Sequence, residues 1–344
     1  MRAVTRALSV TVAIPIAGMV VLALITPLTL SGVLYLVGTV AFTVGLCAIA
    51  WGYKRGRWVL GLGLVLILAV AAVRMLSPQN GSIKQLLLPH GTISCGVNCL
   101  IDEQDAALFS TRVLPFVGWI SPREQEGLVG AMHAGYQQMN AVQPLIASPF
   151  IHTYLGLQRA DAFDAVVIEP ETDQPPEWGL IFLHGFTGNF TMPCWLMAQT
   201  VSAFQSLTVC PSVGWKGDWW TANGEATLRE TIAYLHQRGV NRIVLAGLSN
   251  GALGTSELAS KLKDELAGLI LLSGASLDAP DSGLPVLILT GSRDERMPPE
   301  LIRAYANRMG DQATFVALDS DHFMLVKQFD AVREHIDQWF RELP

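Results

Sequence analysis

The residues best suited to chemistry lie in Arg242-Ile-Val-Leu-Ala-Gly-Leu-Ser-Asn-Gly-Ala-Leu-Gly254. Residues 243–246 are an apolar run of strand type. The chain then turns at Gly247-Leu248-Ser249-Asn250-Gly251, and small and apolar residues of helix type follow. This G-x-S-x-G pattern, in a strand-turn-helix setting, holds a serine hydroxyl at an exposed and strained tip. Glycines are required because a side chain at 247 or 251 would collide with the neighbouring strand or helix. The chemistry would be nucleophilic attack by an activated hydroxyl. A glycine-rich turn also joins strand to helix in many doubly wound proteins, so the groups at neighbouring strand ends must decide the matter.

The elements that would position Ser249 are legible from about residue 164 onward. Strand-like runs fall at 165–169, 179–183, 207–210, 243–246, 269–272, 286–290 and 314–317. Helical stretches lie between many of them, notably 192–204, 226–238 and 250–262, and a last helix spans about 326–341. Such alternation with continuously apolar strands predicts an α/β fold with a mostly parallel, doubly covered sheet. Ligands of these sheets bind at the carboxyl ends of the strands, where Ser249 sits. Three further pieces share that edge. His184-Gly185-Phe186-Thr187-Gly188 follows one strand, Asp294 follows the strand 286–290, and His322 follows the last strand.

With Ser249, Asp294 and His322 in that order, residues 165–344 resemble the serine-dependent α/β-hydrolase superfamily, esterase- or lipase-like members included. The resemblance rests on the serine turn, the His-Gly stretch, Gly291-Ser-Arg-Asp294-Glu-Arg-Met-Pro298 and the late Asp321-His322 pair. It implies Ser249 as nucleophile, His322 as general base and Asp294 as the acid that orients the imidazole. It further implies an oxyanion hole from the backbone N–H groups of Phe186 and Asn250, supported by Gly185 and Gly188, with His184 packed beneath that loop. Asp319, Asp321 and Glu295 are rival acids near His322. No partner is assigned to His90, His133, His152, His236 or His335. The resemblance implies no metal and no organic cofactor.

Two features bear on substrate. Only residues 273–285 link the strand 269–272 to the next. Members of the resembled family that carry a cap usually insert it there, so the resemblance implies no large cap and an open site. Trp215, Trp219 and Trp220 follow the strand ending at Cys210, and indoles there would contact an acyl chain or aromatic ring or pack on the preceding segment.

The first quarter of the chain is of another kind. Three apolar runs at 8–28, 33–52 and 58–76 are each about 20 residues long, the length that crosses a hydrocarbon core as helix. They predict three transmembrane helices and a protein embedded through residues 8–76. Arg2 and Arg6 precede the first run and Lys54, Arg55 and Arg57 separate the second from the third. By the positive-inside rule the chain beyond residue 76 is therefore extracytoplasmic, with Arg74 as a weaker opposing charge. Residues 1–76 hold six of the 23 basic residues and no acidic one, leaving 17 basic and 29 acidic residues for the remainder. So acidic a domain would repel a phosphate backbone, which excludes nucleic acid as partner. On the oxidising side, Cys95 and Cys99 are spaced for a local disulfide, and Cys194 with Cys210 suggests a second between a helix start and a strand end.

Residues 77–164 form an N-terminal extension, partly helical. A linker is expected over 77–82 and a short helix over 104–117. A longer helix should start with Ser121 as N-cap and Glu124 closing a capping box, and run to about 140. The whole predicts three parts, 1–76, 77–164 and 165–344: a membrane-anchored serine hydrolase acting on small-molecule or lipid-like carboxylic esters. A serine peptidase on the same fold and a non-catalytic membrane-tethered binding protein are the alternatives.

Overall fold

The computed structural model describes residues 2–77, 79, 81–172 and 174–343. In the expected linker 77–82, Pro78 and Asn80 lie outside the described residues. The chain divides into two compact units, Met1–Pro78 with Cys99–Gln125, and Gln79–Asn98 with Glu126–Pro344.

The second unit is built on one nine-stranded sheet. Its strands are β1 (Ile83–Leu88), β2 (Thr92–Ile93), β3 (Phe163–Ile168), β4 (Trp178–Leu183), β5 (Ser206–Pro211), β6 (Arg242–Leu248), β7 (Gly268–Leu272), β8 (Val286–Gly291) and β9 (Ala313–Leu318). Their spatial order is β2-β1-β3-β5-β4-β6-β7-β8-β9. The six strands from β5 to β9 run parallel, whereas β2, β1 and β3 pair antiparallel at one side. β3 to β8 are apolar and almost wholly buried, as strands covered on both faces must be. The helices Ala222–Gln237, Asn250–Leu262 and Pro299–Met309 share one apolar cluster with the sheet. Thr191–Thr200 and Phe329–Glu342 pack on each other.

Register brings the strand ends together. Leu183 pairs with Gly247, Leu248 with Leu272, Leu272 with Leu289, and Gly291 with Leu318. The segments after β4, β6, β7, β8 and β9 therefore leave the sheet along one edge, and every residue considered for chemistry stands there.

The division at residue 165 differs from the structure, because β1 and β2 belong to this sheet. Ile83-Lys-Gln-Leu-Leu-Leu88 is interrupted by two polar residues and was passed over as part of the extension, yet six of its residues pair with β3. Cys194 and Cys210 form a buried disulfide with Cα atoms 6.1 Å apart, and Cys95 and Cys99 are disulfide-bonded too.

The first unit contains helices Arg2–Leu24, Leu30–Ala50 and Gly56–Leu76. Three membrane-crossing helices were expected. Among the described residues two, Leu30–Ala50 and Gly56–Leu76, are long and apolar enough, and Val10–Leu24 is a shorter apolar helix. The two long ones pack through glycine. A Cβ on Gly45 would strike the backbone of Leu60, and one on Gly63 would strike that of Phe42, so the absent side chains are what permit the approach. Arg74, near the end of the third helix, is buried. Its Nε donates to the Cys99 carbonyl at 2.8 Å, and its Nη1 pairs with Asp102 at 2.9 Å. The expected helix over 104–117 is Glu103–Val113 followed by a 3-10 turn, Leu114–Val117. The capping box of Ser121 and Glu124 forms, but its helix ends at Gln125. Gly127, at φ 70°, breaks the path before a second helix, Leu128–Val142.

Joining residues 16 apart, the Cys194–Cys210 bridge closes a loop whose chain-entropy contribution is about 3 kcal/mol. Replacing both cysteines by alanine should lower the thermal midpoint of the second unit correspondingly. An unchanged midpoint would show that the bridge adds no net stability.

Candidate active site

Ser249 sits between β6 and the helix Asn250–Leu262 with φ 54° and ψ −118°. A non-glycine residue at positive φ carries about 1–3 kcal/mol of strain, which the surroundings must hold in place. The glycines on either side do this by crowding. A Cβ on Gly247 would overlap the Gly251 carbonyl, and one on Gly251 would overlap the Leu183 carbonyl at the end of β4. The Ser249 N–H is anchored across the sheet to the Leu272 carbonyl of β7 at 2.8 Å. Two more non-glycine residues at positive φ, Thr187 (85°) and Ser273 (49°), follow β4 and β7 at the same edge.

Asp294 and His322 meet in the loops after β8 and β9. His322 Nδ1 lies 2.8 Å from Asp294 Oδ2, and both residues are buried. Asp294 Oδ1 accepts the backbone N–H groups of Arg296 and Met297, each at 2.9 Å. A carboxylate satisfied on both oxygens is fixed in direction, and as acceptor it requires the proton of His322 on Nδ1, leaving Nε2 with a free lone pair. The loops are laced together. Ser292 N–H donates to the Leu318 carbonyl (2.7 Å), Arg293 N–H to that of Ser320 (2.9 Å), and Ser273 Oγ to that of His322 (3.1 Å). Two of the three rival acids are engaged elsewhere: Asp321 pairs with Lys327 at 2.6 Å, and Asp319 is an exposed partner of Arg293.

The His184–Gly188 loop lies against Ser249. A Cβ on Gly185 would come within 2.8 Å of the Leu248 carbonyl and 3.1 Å of Ser249 Cβ. His184 itself is buried below. Its Nε2 accepts the Val213 N–H at 3.2 Å, so its Nδ1 carries the proton and donates to the Gly185 carbonyl at 2.8 Å. Burial pushes its pKa down to about 4, against the pull of the Gly185 hydrogen bond. Gly188 adopts φ 97° beside Thr153. Asn250 opens its helix, and its Nδ2 donates to the Lys216 carbonyl at 2.8 Å, tying that helix to the tryptophan loop.

The three tryptophans separate. Trp219 cannot contact a substrate, contrary to expectation. It is fully buried, donates Nε1–H to the His184 carbonyl at 2.9 Å, and fills the space left by Gly254. Trp220 is exposed, and Trp215 is half-buried. Trp215 stacks on Tyr154, with centroids 6.4 Å apart, and meets Phe186 edge-on at 5.0 Å. Tyr154 and Phe186 were not expected in this role, and both are exposed. Tyr154 belongs to the short helix Phe150–Tyr154, far from the tryptophans in sequence. His152 of the same helix, left without a partner above, holds it down: its Nδ1 is 2.8 Å from the buried carboxylate of Asp164, which also accepts from Ser94, Asn98 and Gln158. Among the described residues, no group of three or more His, Cys, Asp or Glu could hold a metal ion.

No family model and no curated protein matches the chain. Among solved structures it is similar to Est1E from Butyrivibrio proteoclasticus, with 18% identity, TM-score 0.45, and 53% of this chain and 94% of that chain covered. An alpha-beta serine hydrolase homologue from Coxiella burnetii gives 21%, 0.44, 52% and 91%. XC6422 from Xanthomonas campestris, an a/b serine hydrolase without lid, gives 21%, 0.46, 54% and 92%.

His184 supplies a pH test. Its folded pKa of about 4 lies below the unfolded value of 6.5, so the unfolded chain binds the extra proton between them. Its contribution, on the order of 3 kcal/mol, is present above pH 6.5 and lost as pH falls towards 4. The thermal midpoint should drop over that window in wild type, and less steeply in His184→Gln. Equal slopes would show that His184 does not account for the acid sensitivity.

Proposed function

We propose that this chain is a serine hydrolase of the α/β-hydrolase type, cleaving carboxylic esters through an acyl-enzyme. The observation that carries the reading is the buried His322–Asp294 pair, on the same sheet edge as a serine strained to φ 54° between two crowded glycines. Ser249 Oγ attacks the ester carbonyl carbon while His322 Nε2 takes its proton, and Asp294 stabilises the imidazolium that forms. The negative charge on the former carbonyl oxygen is received by the N–H groups of Phe186 and Asn250. Asn250 suits this role because the leading N–H groups of a helix have no intrahelical acceptor. The imidazolium then protonates the leaving alkoxide, which departs as alcohol. Water, deprotonated by the same nitrogen, attacks the acyl-enzyme carbonyl, and Ser249 leaves with its proton restored. Exposed ring surfaces of Phe186 and Tyr154 beside Trp215 support an acyl group packed on aromatic rings.

The same reading anchors the enzyme in a membrane through the first unit, with Leu30–Ala50 and Gly56–Leu76 as spanning helices. Lys54, Arg55 and Gly56 with Arg57 form the turn and start of the second span, which supports a cytoplasmic turn and an extracytoplasmic catalytic unit. Apolar side chains project around both helices, as lipid-facing surfaces require.

A fluorophosphonate probe should label the purified wild-type protein and leave Ser249→Ala unlabelled; a folded wild type that takes no label would overturn the assignment. Asp294→Asn should keep the fold and lower kcat for ester hydrolysis by about 10⁴, because the imidazole loses the partner that fixes its tautomer. Near-normal turnover in that variant would remove Asp294 from the mechanism.

A further inference from the structure

Beyond the spanning helices, the first unit carries an exposed apolar projection. Leu114-Pro-Phe-Val-Gly-Trp119 contains no charge, and it begins as the 3-10 turn Leu114–Val117 at the end of the helix Glu103–Val113. Gly118, at φ 74°, turns the chain back at its tip. Phe116 is 82% exposed, Val117 60% and Trp119 46%. Burying side chains of this size is the ordinary outcome in water, so three of them exposed within four residues point to an apolar surrounding.

The helix that carries the projection is fixed to the ends of the apolar helices. Gln104 Nε2 donates to the Pro27 carbonyl at 3.2 Å, and Asp105 accepts both the N–H and the hydroxyl of Thr29, at 2.7 and 2.6 Å. At its other end, Arg112 Nη2 donates to the Ile25 carbonyl at 3.1 Å. The last of these contacts comes two residues before Leu114. The projection thus starts level with the chain between Leu24 and Leu30, where the first apolar helix ends and the next begins. Apolar residues with an exposed indole at the end of a spanning helix match the interfacial layer of a bilayer, where aromatic rings sit at headgroup depth.

We infer that Phe116, Val117 and Trp119 insert into the outer interfacial layer of the lipid bilayer as a second, non-spanning contact with the membrane. This rests on the membrane reading of the two long helices. The inserted tip pins the helix Glu103–Val113 to the membrane surface. The partner is a lipid surface rather than a protein groove, because the same unit already presents apolar side chains around its helices.

The test uses the full chain in phosphatidylcholine vesicles, in a Cys47→Ala background, since the other four cysteines are disulfide-bonded. Spin labels are placed singly at Phe116→Cys, at Val65→Cys in the second spanning helix and at Glu300→Cys on the catalytic unit. Collision with oxygen, which concentrates in lipid, is compared with collision with an aqueous nickel chelate. The expected result is a shift towards oxygen at positions 65 and 116, smaller at 116, with 300 reading as aqueous. If 116 reads like 300 while 65 stays in lipid, the insertion is wrong and the membrane reading stands. If 65 also reads like 300, the membrane reading fails and the inference fails with it. All three substitutions replace exposed side chains, so none opens the core.

Discussion

The turn around Ser249 is the constraint on which the second unit depends. Its backbone is held at positive φ by close contact of three main-chain segments, the end of β4, the turn itself and the start of the following helix. Such contact is possible only where two residues have no side chain. The strain is offset by the packing of a sheet whose central strands are buried on both faces. The arrangement also fixes what surrounds the serine. Because Gly251 touches the Leu183 carbonyl, the loop that begins at His184 must leave the sheet directly beside Ser249. The candidate oxyanion donors are placed by the same crowding that places Ser249.

A second set of contacts does for Asp294 and His322 what the glycines do for Ser249. A Cβ on Gly291 would overlap the Asp321 carbonyl, so the loops after β8 and β9 approach as closely as backbones can. Hydrogen bonds between them hold His322 over Asp294. Every acceptor position of Asp294 described above is engaged by an N–H donor, which is why this carboxylate, and not Asp319 or Asp321, orients the ring. The lower shell is apolar or neutral. His184 is kept uncharged by burial and bridges Val213 to Gly185.

Much of this was legible in the sequence because strands buried on both faces read as continuous apolar runs, and residues directly after them share an edge. β4, β6, β7 and β8 were recognisable for that reason, and with them the neighbourhoods of His184, Ser249 and Asp294. β1 was not, since Lys84 and Gln85 interrupt its apolar run and its pairing is antiparallel at the side of the sheet. Trp219 misled because it stands among polar and glycine residues, as a surface indole would. The slot that takes its side chain is opened by Gly254, 35 residues further along the chain, so no local pattern announces it. Tyr154 left no signal either. Its place beside Trp215 follows from a five-residue helix held by His152 and Asp164, a contact between side chains whose spacing carries no motif.

Arg74 shows how a residue can weigh against a topology in sequence and yet be neutralised in the folded unit. As a bare cation near the outer end of a spanning helix, it opposes the orientation set by Lys54, Arg55 and Arg57. In the folded unit it is not bare. Asp102 neutralises it, and the Cys99 carbonyl and Ser31 hydroxyl take further donors, all supplied by chain that lies beyond the third helix or at the start of the second. A buried charge that loses its partner costs about 3–5 kcal/mol, so Arg74 can be tolerated there only if residues 99–102 fold over it. On the proposed topology those residues are extracytoplasmic, and the arginine ties the end of the membrane hairpin to the chain that follows.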